Sequence, residues 1–459
     1  MTKAKTLDMT TGPFVKKIIL FAVPIIISGL LQIFFNAADT IVVGQFSLDG
    51  DNAVSAVGST SSLINAIVAL AMGLSNGAGV IVAQHIGAKD SKSVKQTVHT
   101  AMLVAVILGV ALGVFGFFFA DGLLNIMSTP PEVLPLAVLY TKIYFLGLPV
   151  VLVYNFGSSV LRAVGDTTRP LVFLCISGVL NVGLNIVFVA ALNMSVAGVA
   201  LATIISQAVS AVLVVVYMRK QDNDCKLHIR QLCINKRQLT KILYIGIPAG
   251  LQGMIFSVSN VILQSTINTF GPLAMAGSAA ASSVAGFIYI PMNSIHHAAT
   301  TFIGQNTGAK KIEQIRKLTR LLNIIVFITG ASLSLTIVGL GKTLIGFYTD
   351  TPEAIKFGLI HLAVLGAPYF ICGLMDVTVG CIRGMGTSLS PMLVSVFGVC
   401  GIRLLWIWII FPFIRNVVDD VYMQYFCLFM SYAISWTITL ACQAVIWKKT
   451  YKKLKKYCD

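Results

Sequence analysis

Long apolar runs separated by short polar stretches dominate the chain. Each run has about 20 or more mostly apolar residues, enough to cross a ~30 Å hydrocarbon core as a helix. Twelve spans are predicted, near 18–46, 53–84, 98–120, 133–160, 170–193, 195–218, 242–271, 273–305, 320–347, 355–382, 391–414 and 421–447. Several exceed the hydrocarbon thickness, so tilt or protrusion into water is expected. The roughly ten-residue alternating segments of a membrane barrel are absent. The predicted fold class is an all-α polytopic membrane protein of twelve transmembrane helices.

The pattern repeats. Pro24 and Asn36 match Pro248 and Asn260 at a shift of 224 residues. QHIGAK at 84–89 matches QNTGAK at 305–310, PE at 131–132 matches PE at 352–353, and LRAVGDTTRP at 161–170 matches IRGMGTSLSP at 382–391. All three shifts are 221. Two homologous halves of six spans follow. An even number of spans gives both halves one orientation, with a pseudo-two-fold axis along the membrane normal. The expected organisation is an N-terminal lobe at 1–218, a basic linker at 219–241, a C-terminal lobe at 242–447 and a basic tail at 448–459. The linker is expected to lie as an amphipathic stretch on the inner leaflet.

Composition agrees: 56% of residues are hydrophobic and 11% charged, against about 25% charged in soluble domains. The net charge of +16 could suggest nucleic acid, but its distribution does not. The N-terminus, the even-numbered connections and the tail hold 28 of the 33 basic residues. That is the positive-inside pattern, which places both termini in the cytoplasm and the chain in the plasma (inner) membrane as a multi-pass protein. No cleavable leader is visible, because the first apolar run is too long. The nine cysteines are scattered without a CxxC pair, so reduced packing residues are expected.

Ionisable groups at membrane depth are costly and mark function by default. Asp39 and Asp376 are the acids well inside apolar runs, and Arg403 is the clearest intramembrane base. Lys142 is near enough to a span end to snorkel. Gln32, Asn36 and Asp39 step by four and three, one polar stripe on a greasy helix. Asp39 has no acidic twin: three residues after Asn260 stands Leu263. That asymmetry suits one ion site in the N-terminal half, with structural pairing to Arg403 the alternative. Asn181 and Asn185 are four apart and share a face; their oxygens suit a hard cation or a protonated acid. Asp376, at the position corresponding to Asn155, suits a second cation, a cationic substrate, or a bridge to Arg403, and the bridge is preferred. Asn155, Asp376, Asn36 and Gln32 form the candidate substrate or second-cation set. Adjacent His296 and His297 diverge by about 100°, which suits cavity lining or interhelical hydrogen bonds rather than a metal. Pro24 lacks an N–H and is the expected kink. No metal site, cofactor site or nucleophilic triad stands out, so an enzyme is not expected.

Taken together, the chain resembles the multidrug and toxic compound extrusion (MATE) family. The resemblance rests on the P-x(14)-D first span from Pro24 to Asp39 followed by TIVVGQF, LR-x-x-GD-T-x-x-P at 161–170, GIPAGLQG at 246–253, and NVGLNIVFV with VAGVALATIISQ at 196–207. It implies a V-shaped pair of six-helix lobes exporting amphipathic, often cationic, compounds against inward H⁺ or Na⁺, without a cofactor. A monomer in the bilayer is expected, with no nucleic-acid partner. The family's N-lobe cation site maps onto Asp39, Asn181, Asn185 and Thr203. Asn185 is a departure, since many members carry Asp there, which tilts the expectation toward H⁺. Asp376 lies about one turn nearer the cytoplasm than the acid some members carry. A lipid-linked precursor flippase of the same superfamily and a major-facilitator-type transporter are the alternatives. The first would want an Arg- or Lys-rich cleft. The second would want a D-R-x-G-R-like connection where HIGAKDSKS stands.

Overall fold

The structure is a computed structural model, and it describes residues 7–47, 49–127 and 129–458. The described residues contain helices and no strands. In chain order they are α1 (Phe14–Phe46), α2 (Gly50–Gly87), α3 (Ser91–Ile126), α4 (Leu134–Leu146), α5 (Leu148–Val164), α6 (Thr168–Asn185), α7 (Ser195–Lys220), α8 (Lys236–Asn268) and α9 (Pro272–Gly308). There follow α10 (Ile312–Gly339), α11 (Gly341–Gly346), α12 (Pro352–His361), α13 (Tyr369–Gly384), α14 (Leu389–Ser395), α15 (Ile402–Leu405), α16 (Phe411–Val417) and α17 (Val421–Cys458). Among the described residues, ten helices, counting joined segments, are long and apolar enough to cross a membrane, and up to twelve spans result if each of two bent pairs is one span. This is a multi-pass membrane protein.

The bent pairs occur at matching places in the two halves. α4 and α5 meet at 49° across Gly147, and Pro352–Gly366 meets α13 at 42°. Proline causes both breaks, Pro149 just inside α5 and Pro368 just before α13, since neither can donate to the preceding turn. Wider π turns also recur. Ile186–Ala191 continues α6, while Val396–Gly401 and Trp406–Ile410 flank α15. The lysines of the tail ride the last turns of α17, which runs unbroken to Cys458.

The chain divides into two compact units. Unit 1 contains Val23–Gly250, and unit 2 contains Met9–Ala22 and Leu251–Asp459. α1 therefore changes unit beside Pro24, and α8 changes unit two residues after Pro248, its repeat mate. In unit 2 the start of α1 is held by Phe21 edge-on to Phe302, ring centroids 5.8 Å apart. Just before α1, Asn306 donates to the Met9 carbonyl at 2.9 Å and Lys311 to the Thr10 carbonyl at 2.8 Å.

Within unit 1, α2 and the first turns of α8 pack backbone to backbone. Gly73 and Gly77 face Gly246 and Gly250, two small-xxx-small pairs. A Cβ on Gly73 would lie 2.1 Å from the Gly250 nitrogen. No side chain fits there.

Much of the linker packs on unit 1. Cys225 and Leu227 are buried in that unit's core. Asp224 accepts from Ser91 at 2.5 Å and lies 3.8 Å from Lys95. The His228 N–H donates to His99 Nε2 at 3.1 Å, so His99 carries its proton on Nδ1 and donates to the Lys95 carbonyl at 2.7 Å. Thr100 receives the Asn235 N–H and donates to the Cys233 carbonyl. Two apolar side chains and several backbone groups of the linker thus find partners in that unit.

All nine cysteines are free. Burial, helped by the adjacent Asp224 charge, pushes the Cys225 thiol up to about 12. The thiolate is the reactive form, so at neutral pH a charged maleimide should label exposed Cys233 and spare Cys225. Mass spectrometry of single-cysteine variants measures this, and rapid labelling of Cys225 would show that the linker is undocked. Gly73→Leu should overpack α2 against α8 and cost about 1–3 kcal/mol. The readout is a lowered melting temperature in detergent.

Candidate functional site

A glycine lets α1 approach α6 in unit 1. The Phe35 ring occupies the space that a Cβ on Gly178 would need, 1.9 Å from its ideal position. One turn further along each helix, the chemistry begins: Asp39 on α1, and Asn181 and Asn185 on α6. Asn185 Nδ2 donates to Asp39 Oδ1. It also lies 3.4 Å from Asn181 Oδ1. Asn181 Nδ2 in turn lies 3.5 Å from Thr203 Oγ1 on α7. The four side chains thus form one line of polar groups across three helices.

Burial grades along this line. Asn185 is fully buried, Asn181 nearly so, and Asp39 and Thr203 are half-buried. Asn185 Oδ1 is buried without a hydrogen-bond partner. An orphaned buried acceptor costs free energy unless a donor or cation meets it. The π turns of Ile186–Ala191 start directly after Asn185, and such widened turns are frequent at functional sites. None of the three ion pairs among the described residues involves Asp39. The described residues also hold no cluster of three or more His, Cys, Asp or Glu suited to a metal ion.

The sequence profile of the MatE family matches residues 24–187 and again 248–409. The chain belongs to the MatE family. It is 29% identical over 392 residues to a protein named probable multidrug resistance protein YpnP from Bacillus subtilis, covering 85% of this chain and 87% of that one. It is 24% identical to the multidrug export protein MepA of Staphylococcus aureus, covering 84% and 85%. A solved structure described as MATE in the bent conformation superposes with a TM-score of 0.89 at 20% identity, covering both chains completely. One described as MATE in the straight conformation also gives 0.89, at 21% identity over 99% and 100%. These structures establish the MATE fold for this chain.

The other sequence candidates do not gather into one site. Gln32 and Asn36 continue the exposed stripe of α1. Asn155 donates to the carbonyl of Val151 in its own helix at 2.9 Å. Asp376 belongs to unit 2. The expected Asp376–Arg403 bridge is absent: no carboxylate lies within 4.0 Å of Arg403 among the described residues. Instead Arg403 Nη1 donates to Asn260 Oδ1 at 3.1 Å, and its guanidinium lies 3.7 Å from the Tyr432 ring centroid. The physical reason is packing: α8 and α17 bring Asn260 and Tyr432 against Arg403, and these take up its contacts. Asp376 offers its main-chain carbonyl to His296 Nδ1 at 2.7 Å. His296 thus makes an interhelical hydrogen bond, as expected. Lys142 pairs with Asp121 at 2.7 Å in a half-exposed position, as snorkelling requires.

Two polar contacts had no sequence signal. Buried Arg383 donates to Gln252 at 2.9 Å. Buried Asn306 donates to the Met9 carbonyl at 2.9 Å. Only packing of distant segments creates them.

The Asp39–Asn185 contact predicts a coupling. A hydrogen bond to a charged group contributes about 1.5–3 kcal/mol. A double-mutant cycle of Asp39→Asn and Asn185→Ala on thermal stability should therefore be non-additive by about 1 kcal/mol or more. Strict additivity would mean that the contact does not form.

Proposed function

We propose that the chain is a secondary antiporter of the plasma membrane, with both termini cytoplasmic. It exports amphipathic, cationic small molecules in exchange for H⁺, with Na⁺ as the other candidate ion. Asp39 is the coupling acid. One observation carries this reading: the single acid of the α1–α6–α7 polar line touches an amide that serves both of its protonation states. Asn185 Nδ2 donates to the carboxylate. Turned over, its oxygen, now without a partner, accepts from the protonated acid. A cation would instead be held by the oxygens of Asp39, Asn181, Asn185 and Thr203, a hard-ligand set with one formal charge. The relatives named for multidrug resistance and export supply the substrate class.

The cycle follows from differential affinity. Substrate enters from the cytoplasmic side while Asp39 is charged. Turning outward exposes Asp39 to external protons. Protonation cancels a charge that is expensive at this depth, and α1 repacks against α6 and α7. Pro24 is the point from which α1 moves, and it stands where the helix changes unit. Substrate leaves and the proton continues inward. An entering unit charge gains about 2.3 kcal/mol per 100 mV, a population bias of roughly 50-fold at about 1.4 kcal/mol per decade.

Asp39→Asn should abolish gradient-driven export of a cationic dye from proteoliposomes, with pH and Na⁺ gradients imposed separately. Export by that variant at the wild-type rate would sink the coupling role. Asn185→Asp should add the second charge of a cation site. Its melting temperature should then rise with Na⁺ in a concentration-dependent way that the wild type lacks.

A further inference from the structure

In each half a charged side chain meets an amide between the first and fifth spans, with the sign of the charge reversed. In unit 1 the half's first span supplies an acid, Asp39, and its fifth an amide, Asn185. In unit 2 the first span supplies the amide, Asn260, and the fifth the charge, Arg403. The repeat relates the spans and not the residues, since the mate of Asp39 is Leu263. Asn260 matches Asn36, and the segment 382–391 leading into the Arg403 span matches 161–170 leading into the Asn185 span.

Arg403 is built in, not left over. Its side chain is 4% exposed. It sits on the one α turn, Ile402–Leu405, between two π segments. Asn260 fixes one nitrogen and Tyr432 covers one face. Its Nε–H is buried and has no hydrogen-bond partner. A guanidinium keeps its charge in any protein environment, so protonation change cannot relieve this burial as it can for a carboxylate. One amide and one ring leave the positive charge without an anion, which is a costly arrangement in hydrocarbon. Asp376, the intramembrane acid of the same unit, makes no ion pair with it.

We propose that Arg403 is the oxyanion-binding group of a substrate site in unit 2, taking the carboxylate of a zwitterionic amphiphile. The Nε–H supplies a free donor in a guanidinium oriented by Asn260 and Tyr432, and fork geometry suits a carboxylate. The cationic end of the molecule is the part that the export reading already supplies. The inference rests on the export reading above and narrows its substrate class from cations to molecules carrying both charges.

The test uses two matched dyes, a zwitterionic rhodamine with a free carboxylate and its methyl ester, a cation of nearly the same size. Binding to the full chain in nanodiscs is read by fluorescence anisotropy, with empty nanodiscs subtracted. The wild type should favour the acid over the ester. In Arg403→Gln that ratio should fall about tenfold or more, the scale of a charged hydrogen bond, and Arg403→Lys should keep part of it. An unchanged ratio in Arg403→Gln overturns the proposal. So does a wild type that favours the ester, an arm that needs no variant to fold. Binding requires no gradient. Arg403-dependent preference for the acid without export under either gradient would support this site while overturning the antiport reading.

Discussion

A carboxylate at membrane depth needs a donor within reach, and in this chain the donor is Asn185. The Asp39–Asn185 hydrogen bond joins α1 to α6 at the place where the Phe35 ring fills the space over Gly178. The rest of unit 1 keeps that register. Asn181 and Thr203 extend the polar line, and the π turns after Asn185 widen the helix beside it. A bulky side chain at Gly178 would separate the helices and strand the charge. The small residue is as much a part of the site as the acid.

Unit 2 answers the same constraint in another way. Its polar centre carries a permanent cation, with an amide on the first span and an aromatic face on the last. Divergence of the two halves thus exchanged sign as well as residues. An acid can gain or lose a proton during a cycle, while a guanidinium cannot.

The linker is bound to the same logic of satisfied groups. Its buried Cys225 and Leu227, and the threonine and histidine on α3 that bond its backbone, tie it to unit 1. The glycine contact of α2 with the first turns of α8 ties the following segment there too. Both prolines of the repeat, Pro24 and Pro248, stand where their helices leave one unit for the other.

Much of this was legible in the order of residues. Length and hydrophobicity of the runs dictate membrane helices, because only internally bonded backbone survives in hydrocarbon. The internal matches show two halves, and the rarity of buried charge isolates Asp39, Asp376 and Arg403. The i, i+4 spacing puts Asn181 and Asn185 on one face. What tertiary structure alone decided is which groups meet. Arg403 meets Asn260 and Tyr432 and not Asp376, and the linker buries Cys225 and Leu227 in the core of unit 1. Those choices depend on helix rotation and on distances between segments over a hundred residues apart. Periodicity fixes the face of a helix, but only packing sets what that face meets.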